Sequence, residues 1–382
     1  MHVAYLSLDS GISVFGHKGA CNHVADFVRA LVGLGHQVTL FAAKLGEPSG
    51  NSPGALELVP ASPAPGNLPE PLQTEALSLA RNDGLRGALE RTHQAHPVNL
   101  VYERYSLWSF EGLGFAQRQD LPYILEVNSP LRIEQQEFRG LYLEPAARAI
   151  ERLLFGSATL VAGVSQNVAD YVVEQSGRRG PVIVVPNGVD LDLFRSVPAP
   201  APGPFTIGFV GSLKPWHGLE VLMEAFRALA GEEARLLIVG DGPQRGWMEQ
   251  YAQEHRLASQ VSFCGSVDKP RVPELLGRMD VAVAPYPPRE DFYFSPLKVF
   301  EYLAAGRAIV ASRIGQLAEL LEDGRTALLA EPGDARDLAQ KIRRLRDDPA
   351  LRGRLGRAAR EEAFRRHGWD HRVRRVLENY AH

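Results

Sequence analysis

Residues 281–306 read VAVAPYPPREDFYFSPLKVFEYLAAG. The apolar run Val281–Ala284 predicts a buried strand, and the pattern after the proline- and aromatic-rich loop predicts a helix. Ser295 is a good N-cap residue and Pro296 suits the first helical position, so we expect the helix to begin there. Open parallel sheets bind ligands at the carboxyl ends of their strands. This loop and helix are therefore predicted to form part of a ligand site.

The same alternation of strand and helix runs along the whole chain. Further strands are predicted at His2–Leu8, Gln37–Ala42, Asn99–Tyr102, Tyr123–Val127, Thr159–Gly163, Val182–Val185, Phe205–Val210, Arg235–Val239, Val261–Phe263, Ala308–Ala311 and Ala327–Leu329. Helix-like segments separate them, among them Ala20–Leu34, Glu144–Phe155, Gly218–Ala230 and Ser295–Ala305. Strands joined by helical crossovers pair in parallel. Two successive runs of such units in 382 residues predict two doubly wound α/β domains.

Composition shifts mark the expected domain boundaries. Residues 196–204, SVPAPAPGP, alternate proline with alanine, which is typical of a short stiff spacer. We therefore predict an N-terminal domain over 1–195, a linker over 196–204 and a C-terminal domain over 205–365, with a last helix over 366–382. The proline- and glycine-rich stretch Gly46–Pro71 is predicted to be a long surface loop.

Composition excludes several classes of protein. Hydrophobic residues make up 45% and charged residues 23% of the chain, and the net charge is −3, so neither a disordered chain nor a broadly basic nucleic-acid binder is expected. Cys21 and Cys264 are the two cysteines, too few for a disulfide framework or a metal cluster. Apolar runs fall short of the ~20 residues that span a bilayer, and the start does not resemble a signal peptide. We expect a cytoplasmic protein.

The segment from Lys341 to Arg375 is strongly basic, with 13 Lys and Arg against 5 Asp and Glu. It is either a solvated helical face or a patch that contacts an anionic membrane surface or a polyanionic acceptor. The sequence leaves both interpretations open.

Residues 295–301 carry the chemistry expected at the edge of the sheet. The first amides of the helix, at Leu297 and Lys298, could bind a diphosphate, and the Lys298 side chain adds positive charge. Glu301, one turn later, could accept hydrogen bonds from two ribose hydroxyls. The alternative is that Lys298 and Glu301 form a surface ion pair.

Three glycine-bearing loops follow other strands. In GSLKPWHG (211–218), Lys214 and His217 could supply positive charge to a leaving diphosphate, although the loop could also be a plain polar connection. GDGPQRG (240–246) departs from the dinucleotide fingerprint, which disfavours a dehydrogenase. Gly11, Gly16 and Gly19 precede the first helix, where they either hold a phosphate or form a simple turn.

Other catalytic signatures are not found in the sequence. There is no G-x-S-x-G elbow, P-loop or H-E-x-x-H motif. His93 and His96 have no suitable acidic or cysteine companion, and Asp190 and Asp192 are expected to cap a turn. We therefore expect no metal site and no cofactor.

Several motifs, taken in this order, resemble those of bacterial family 4 glycosyltransferases with the GT-B fold. They are GHKGACNHV (16–24), PNGVD (186–190), FVGSLKPWHG (209–218), IVGDGP (238–243) and SPLKVFEYLAAG (295–306). The resemblance covers nearly the whole chain. It implies two Rossmann-like domains that face each other across a cleft, with the donor mainly in the C-terminal domain. It also implies metal-independent transfer of a sugar, with retention, from a UDP- or GDP-linked donor to an acceptor hydroxyl.

The resemblance assigns roles to the donor side. Glu301 resembles the second acid of the family's E-x7-E motif, but Tyr293 stands where the first acid is expected. The sugar and phosphates would then be held by backbone amides in the segment Phe294, Ser295, Pro296 and Leu297. Glu290 or Asp291 would reach the sugar hydroxyls.

Two loop positions also differ from the family. The family's Arg corresponds to Ser212, which follows Gly211, and its Lys corresponds to His217. Lys214 and His217 are therefore expected to supply the positive charge instead. Gly16 and Gly19 resemble the N-terminal loop that closes over the donor.

The resemblance places other residues beside the reacting sugar or the acceptor. Asn128 occupies a position where the family often has a His beside the transferred sugar. Glu103 and Arg104, with His17 and Lys18, are expected on the acceptor side. Trp369–Tyr380 is expected to be a helix that crosses back to the N-terminal domain.

The resemblance also implies a front-face reaction in which the leaving phosphate assists the incoming hydroxyl. The acceptor is expected to be a glycan, a lipid-linked molecule or a small molecule, with no nucleic acid and with peripheral contact at the inner membrane face. The alternatives are a nucleotide-sugar epimerase or hydrolase and, because of Tyr293, a catalytically silent subunit that binds nucleotide sugar.

Overall fold

The computed structural model describes residues 1–16, 19–46, 54–62, 66, 68–200, 202–229 and 233–380. These residues form two compact units. The first unit contains Met1–Pro186, the short segment Tyr293–Ser295 and the C-terminal segment that begins at Trp369. The second contains Asn187–Phe292 and Pro296–Gly368. Each unit has its own parallel sheet, as predicted.

The first unit is built on a seven-stranded parallel sheet. Its strands are β1 (His2–Ser7), β2 (Gln37–Ala42), β3 (Ala55–Leu58), β4 (Leu100–Arg104), β5 (Tyr123–Val127), β6 (Leu160–Gly163) and β7 (Val182–Val184), in the order β3-β2-β1-β4-β5-β6-β7. Its first six helices are α1 (Gly19–Gly33), α2 (Glu70–Ala95), α3 (Glu111–Arg118), α4 (Leu131–Phe138), α5 (Glu144–Ser157) and α6 (Gln166–Ser176). Strand β1 is buried at every position, as expected of a strand covered on both faces.

The second unit is built on a six-stranded parallel sheet. Its strands are β8 (Phe205–Val210), β9 (Ala234–Val239), β10 (Val261–Phe263), β11 (Val281–Ala284), β12 (Ala308–Ser312) and β13 (Leu328–Ala330), in the order β10-β9-β8-β11-β12-β13. Its helices are α7 (Leu219–Ala228), α8 (Arg245–Glu254), α9 (Val272–Gly277), α10 (Leu297–Ala304), α11 (Gly315–Leu320), α12 (Ala335–Asp347) and α13 (Pro349–Arg366). Strands β8 and β11, at the centre of the sheet, carry the loops that contain the candidate site.

The last helix, α14 (Trp369–Tyr380), belongs to the first unit and packs on α1. The Trp369 indole donates a hydrogen bond to the buried Asp26 carboxylate at 3.1 Å. The same ring forms a T-shaped pair with the His23 ring, with 4.7 Å between ring centres. A large aromatic side chain with a satisfied N–H therefore anchors this helix.

Every predicted strand occurs in the structure, with ends that differ by at most two residues. The prediction of a continuous loop over Gly46–Pro71 is wrong, because Ala55–Leu58 forms β3 at the edge of the first sheet and α2 begins at Glu70. Residues 47–53, 63–65 and 67 of that stretch lie outside the described residues. The sequence ALEL has no β-branched residue, so its strand character comes from pairing with β2.

The chain enters the second unit after Pro186, ahead of the expected boundary at residue 195. The Val189 amide donates to the His367 carbonyl at 2.9 Å, and Phe194 is buried. Pro198, in the expected linker, lies against Gly277 of the second unit. Apolar packing thus attaches this segment to the second unit.

Among the described helices, none has the length and apolar character needed to cross a membrane.

Candidate functional site

The first part of the site is the start of α10. Pro296 occupies the N-cap position with φ −72° and ψ 108°, without a capping side-chain hydrogen bond, and Leu297 is the first helical residue. The prediction of Ser295 as N-cap is therefore wrong by one residue, because the ψ of Pro296 is extended. Leu297 and Lys298 occupy the first turn, where backbone amides have no acceptor within the helix. These amides can bind an anion.

Lys298 is a buried cation at this helix end. Its side chain is 7% exposed, and Nζ lies 4.0 Å from the centre of the Phe209 ring and 5.4 Å from that of Tyr286. Nζ has no hydrogen-bond partner among the described residues. Burial lowers the pKa of Lys298 to about 7, and the charge of Glu301 offsets part of that effect. The alternative of a surface ion pair is therefore wrong.

Gly211 makes room for this ammonium group. Its φ is +143°, and a Cβ at this position would lie 2.8 Å from Nζ and 2.9 Å from Cε of Lys298. Any side chain at 211 would therefore collide with Lys298 or displace it. Glycine is thus needed at position 211 both for the turn and for the close packing of Lys298.

His217 is held in one orientation by the neighbouring main chain. Its Nδ1 lies 2.6 Å from the Ser212 carbonyl oxygen, which can only accept, so Nδ1 carries the hydrogen. Burial, followed by the charges of Lys298 and Lys214, lowers the pKa of His217 to about 3. The ring is neutral at pH 7, so the expected positive charge at His217 is wrong.

Lys214 lies in the same loop and is half-buried. Its Nζ is 5.7 Å from the centre of the Trp216 ring, and Trp216 is exposed. Gly218 closes the loop with φ +69°, and a Cβ there would collide with the Pro285 carbonyl. The loops after β8 and β11 are therefore in direct contact.

The acidic residues before α10 lie at the surface. Glu290 and Asp291 are both exposed. Asp291 accepts two hydrogen bonds from Arg289, at 2.6 and 3.1 Å, and these bonds with the Arg289 charge lower its pKa. Asp291 is thus already paired with a cation.

Tyr293 packs in the hydrophobic core of the first unit. Its hydroxyl donates to Glu134 Oε1 at 2.6 Å, and its carbonyl accepts from Ser165 Oγ at 2.9 Å. The Phe294 ring lies beside it, tilted by 45°, with 4.4 Å between ring centres. The Tyr293 side chain, predicted among the donor-binding residues, is therefore engaged by the first unit.

Glu103 does not lie on an exposed acceptor side. It is fully buried on β4 and accepts a hydrogen bond from the Tyr123 hydroxyl at 2.8 Å. Burial raises the pKa of Glu103 to about 7, against the hydrogen bonds that lower it. The expectation for Glu103 is wrong, because the alternation along β4 turns this side chain into the core. Arg104, the next residue, is half-buried at the end of the strand.

Asn128 follows β5 and is tied to a buried carboxylate that sequence reasoning missed. Its Nδ2 donates to Glu126 Oε1 at 2.6 Å. Glu126 also accepts from the Tyr102 hydroxyl at 2.6 Å, and His23 Nε2 lies 2.6 Å from Oε1. Burial alone would raise the pKa of Glu126, but the charges and hydrogen bonds of its partners, His23 first, lower it to about 2. Glu126 is thus a fixed anion.

The N-terminal loop leads into α1 as predicted, and α1 begins at Gly19. A Cβ at Gly16 would lie 2.8 Å from Ser13 Oγ and 3.1 Å from Cys21 Sγ, so the loop is tightly packed there. His17 and Lys18, predicted on the acceptor side, lie outside the described residues.

Within the described part of the chain, no cluster of three or more His, Cys, Asp or Glu side chains is arranged to hold a metal ion.

Comparison with protein families gives the class of this chain. Residues 17–193 match the model of Glycosyltransferase Family 4, and residues 204–348 match that of Glycosyl transferases group 1. Together the two matches span most of the chain. The chain belongs to the family 4 type of glycosyltransferases.

Individual relatives agree with this class. The chain is 26% identical to glycogen synthase of Mycobacterium tuberculosis, over 97% of this chain and 92% of that one. It is 28% identical to D-inositol 3-phosphate glycosyltransferase of Arthrobacter, over 99% and 94%. The structure of Anabaena HepE in complex with UDP and glucose matches with a TM-score of 0.72 at 19% identity, over 99% of both chains. The fold is GT-B, and the protein is an enzyme that transfers a glycosyl group.

Proposed function

We propose that this enzyme transfers a sugar, with retention of configuration, from a UDP- or GDP-linked donor to an acceptor hydroxyl, and that it needs neither metal nor cofactor. The observation that carries the proposal is the buried ammonium of Lys298. A buried cation without a hydrogen-bond partner among the described residues is costly, and an anion bound beside it removes that cost.

The surroundings of Lys298 fit a diphosphate. The first amides of α10 are those of Leu297 and of Lys298 itself. Gly211 leaves the space beside Lys298 Nζ without a side chain. An anion in this place would accept from the ammonium and from main-chain amides together, as phosphates do at helix N-termini. The UDP complex of HepE supports the choice of a nucleoside diphosphate.

Charge on the chain can replace a metal in the reaction. As the bond between the anomeric carbon and the donor phosphate breaks, negative charge grows on the leaving diphosphate, where Lys298, Lys214 and the amides of α10 stabilise it. His217, which is neutral, contributes no charge. The acceptor oxygen bonds to the anomeric carbon on the face that the phosphate leaves, and its proton passes to a phosphate oxygen. This route requires positioning and charge more than a strong base.

The reaction class is tested by turnover of labelled nucleotide sugars, with EDTA present, on a panel of glycans, lipid-linked glycans and small polyols. We expect transfer that EDTA does not abolish, and NMR of the product should show the anomeric configuration of the donor. Inversion would contradict the front-face mechanism. Epimerised or merely hydrolysed donor would identify the protein as a nucleotide-sugar epimerase or hydrolase.

A catalytically silent binding subunit is the second candidate, and Tyr293 favours it. The family's first acid is missing at this position, and the tyrosine that replaces it packs in the core. Tight binding of a nucleotide sugar without transfer to any acceptor in the panel would support this candidate.

Glu301 is proposed to bind the ribose of the donor. It is half-buried one turn after Lys298. Glu301→Gln should weaken binding of UDP, whereas 2′,3′-dideoxy-UDP should bind wild type and variant alike. An equal loss of affinity for both nucleotides would show that Glu301 does not bind the ribose hydroxyls.

We further propose a cytoplasmic location with peripheral contact at the inner membrane face. Arg344, Arg354 and Arg357 of α12 and α13 are exposed, and their side chains make no hydrogen bond or ion pair to other described residues. Exposed arginines attract anionic lipid. Co-sedimentation with phosphatidylglycerol vesicles should be lost when all three are changed to Gln, and unchanged binding would contradict the contact.

A further inference from the structure

Glu103 is a carboxyl group enclosed by the first unit. Its side chain is fully buried on β4, and Oε2 accepts a hydrogen bond from the Tyr123 hydroxyl at 2.8 Å. Its other oxygen, Oε1, has no regular hydrogen-bond partner among the described residues, and neither has Ser109 Oγ. Ser109 is still close enough to lower the pKa of Glu103. The polar neighbours of this carboxyl are therefore two hydroxyl groups.

No charge among the described side chains compensates an ionised Glu103. Burial is the main cause that raises its pKa to about 7, and the hydroxyls of Ser109 and Tyr123 account for the opposing effect. Burial also raises the pKa of Tyr123 well above its usual value, so this hydroxyl keeps its proton. A buried carboxylate with no cation beside it is costly, and the neutral acid avoids that cost.

The charged groups on neighbouring elements point elsewhere or are paired. Arg104, the next residue on β4, points to the opposite face of the sheet, because side chains alternate along a strand. Glu111, at the start of α3, contacts Arg86 and Arg118. The carboxyl of Glu103 consequently gains or loses its proton without a charged partner.

Helix α3 lies directly on this carboxyl. A Cβ at Gly112 would collide with Glu103 Oε2 and with the Leu6 side chain of β1. Such close packing leaves no room for a water molecule between the helix backbone and Oε2. Water can therefore reach an ionised Glu103 at this oxygen only if α3 moves away from the sheet.

We propose that Glu103 is a pH-sensitive switch. With its proton it lets α3 pack on the first sheet, and the loss of that proton to solvent, as the pH rises to neutrality, loosens α3 and the loop over 105–110. The ionised group needs hydration that the packed helix excludes. Because the loop follows β4 at the carboxyl edge of the sheet, the switch acts where parallel sheets bind ligands.

Linkage gives the direction of the effect. Glu103 binds its proton more tightly when α3 is packed, with a pKa of about 7, than when α3 is open and the group has its ordinary value of 4.5. The stability of the packed state is therefore greatest below pH 4.5, falls as the pH rises from 4.5 to 7, and is constant above 7. Between pH 5 and pH 8 the ratio of open to packed α3 should rise by roughly 30- to 100-fold.

Infrared spectroscopy tests for the proton directly. A protonated carboxyl has a C=O stretching band apart from those of carboxylates and amides. The difference spectrum between wild type and Glu103→Gln should contain this band at pH 6 and lack it at pH 9, with a midpoint at about 7. Glu137→Gln, at an exposed position on α4, removes the same charge and should leave the band in place.

Hydrogen exchange tests the loosening. The intrinsic exchange rate changes with pH equally in all variants, so wild type and Glu103→Gln are compared at the same pH. The rate of amide exchange in α3, as the ratio of wild type to Glu103→Gln, should rise by roughly 30- to 100-fold from pH 5 to pH 8. Helix α6 is the internal control, and its ratio should stay constant.

Three results would overturn the proposal. The first is a difference spectrum without a protonated carboxyl at pH 6, which would show that Glu103 is ionised. The second is an exchange ratio for α3 that does not change with pH, and the third is an equal change in α6, which would make the effect global. If Glu103→Gln does not fold, the exchange of α3 relative to α6 in wild type, over the same pH range, decides in the same way.

Discussion

Lys298 in the second unit and Glu126 in the first are both buried charges, yet their surroundings are opposite. Glu126 has Tyr102, His23 and Asn128 around it, and its pKa falls to about 2. The ammonium of Lys298 has aromatic rings around it, and its pKa falls to about 7. The first charge is stabilised by the folded chain alone. We propose that a ligand completes the second, and this difference would distinguish a binding group from a structural one.

The largest expected effect is on Lys298. Lys298→Met should weaken binding of UDP, or of GDP if that nucleotide is preferred, by roughly 100-fold, because a charge-assisted hydrogen bond contributes about 1.5–3 kcal/mol. The same variant should leave the free energy of unfolding unchanged or raise it, because a thioether in an apolar site has no desolvation penalty. Calorimetry and urea denaturation measure the two quantities.

Lys341→Met is the matched control, because Lys341 is half-buried beside Asp337 on α12 and its substitution removes the same net charge. It should alter nucleotide affinity less than twofold. If Lys298→Met destabilises the fold and leaves affinity intact, Lys298 is a structural residue and the contrast with Glu126 disappears.

Substitution of Glu126, unlike that of Lys298, should lower the stability of the fold. Glu126→Gln should lower the free energy of unfolding by about 2–3 kcal/mol at pH 7, because it removes the anion that His23 and Tyr102 contact. In the wild type, this contribution is present above the unfolded pKa of about 4.5 and is lost as pH falls toward 2. Glu174→Gln, at an exposed site on α6, should have no effect. Equal stability of both variants would contradict the account.

The pKa of Lys298 predicts proton uptake on binding. In the free enzyme, about half of these side chains are neutral near pH 7 and most are neutral at pH 8.5. A bound diphosphate favours the charged form, so UDP should bind with uptake of a fraction of a proton at pH 8, and its affinity should fall as pH rises from 7 to 9. Calorimetry in buffers of different ionisation enthalpy measures this uptake, which should vanish in Lys298→Met. Uptake that persists in that variant would assign the proton to another group, such as the neutral ring of His217.

The smallest effect is expected at Asp291. Because it is exposed and paired with Arg289, Asp291→Asn should change kcat and KM less than twofold. A tenfold fall in kcat/KM for transfer would restore Asp291 as a sugar-binding residue.

The sequence predicted the two sheets well, because their strands are short apolar runs separated by helices of the expected length. It predicted that the loop before α10 and the loop after β8 both contribute to a diphosphate site, since both loops follow strands of one parallel sheet. It could not predict that Glu103 faces the core. A buried strand can carry a carboxylate on either face, provided that the carboxylate finds a hydrogen-bond donor. It also missed Glu126 and the neutral state of His217, since both depend on partners distant in the sequence or on burial.

A crystal structure of the enzyme with bound UDP tests the central claim most directly. The account predicts a phosphate oxygen within hydrogen-bond distance, about 2.7–3.0 Å, of Lys298 Nζ, and another at the amides of Leu297 and Lys298. UDP bound elsewhere, with the Lys298 ammonium still among Phe209 and Tyr286 and in contact with no phosphate, would contradict it.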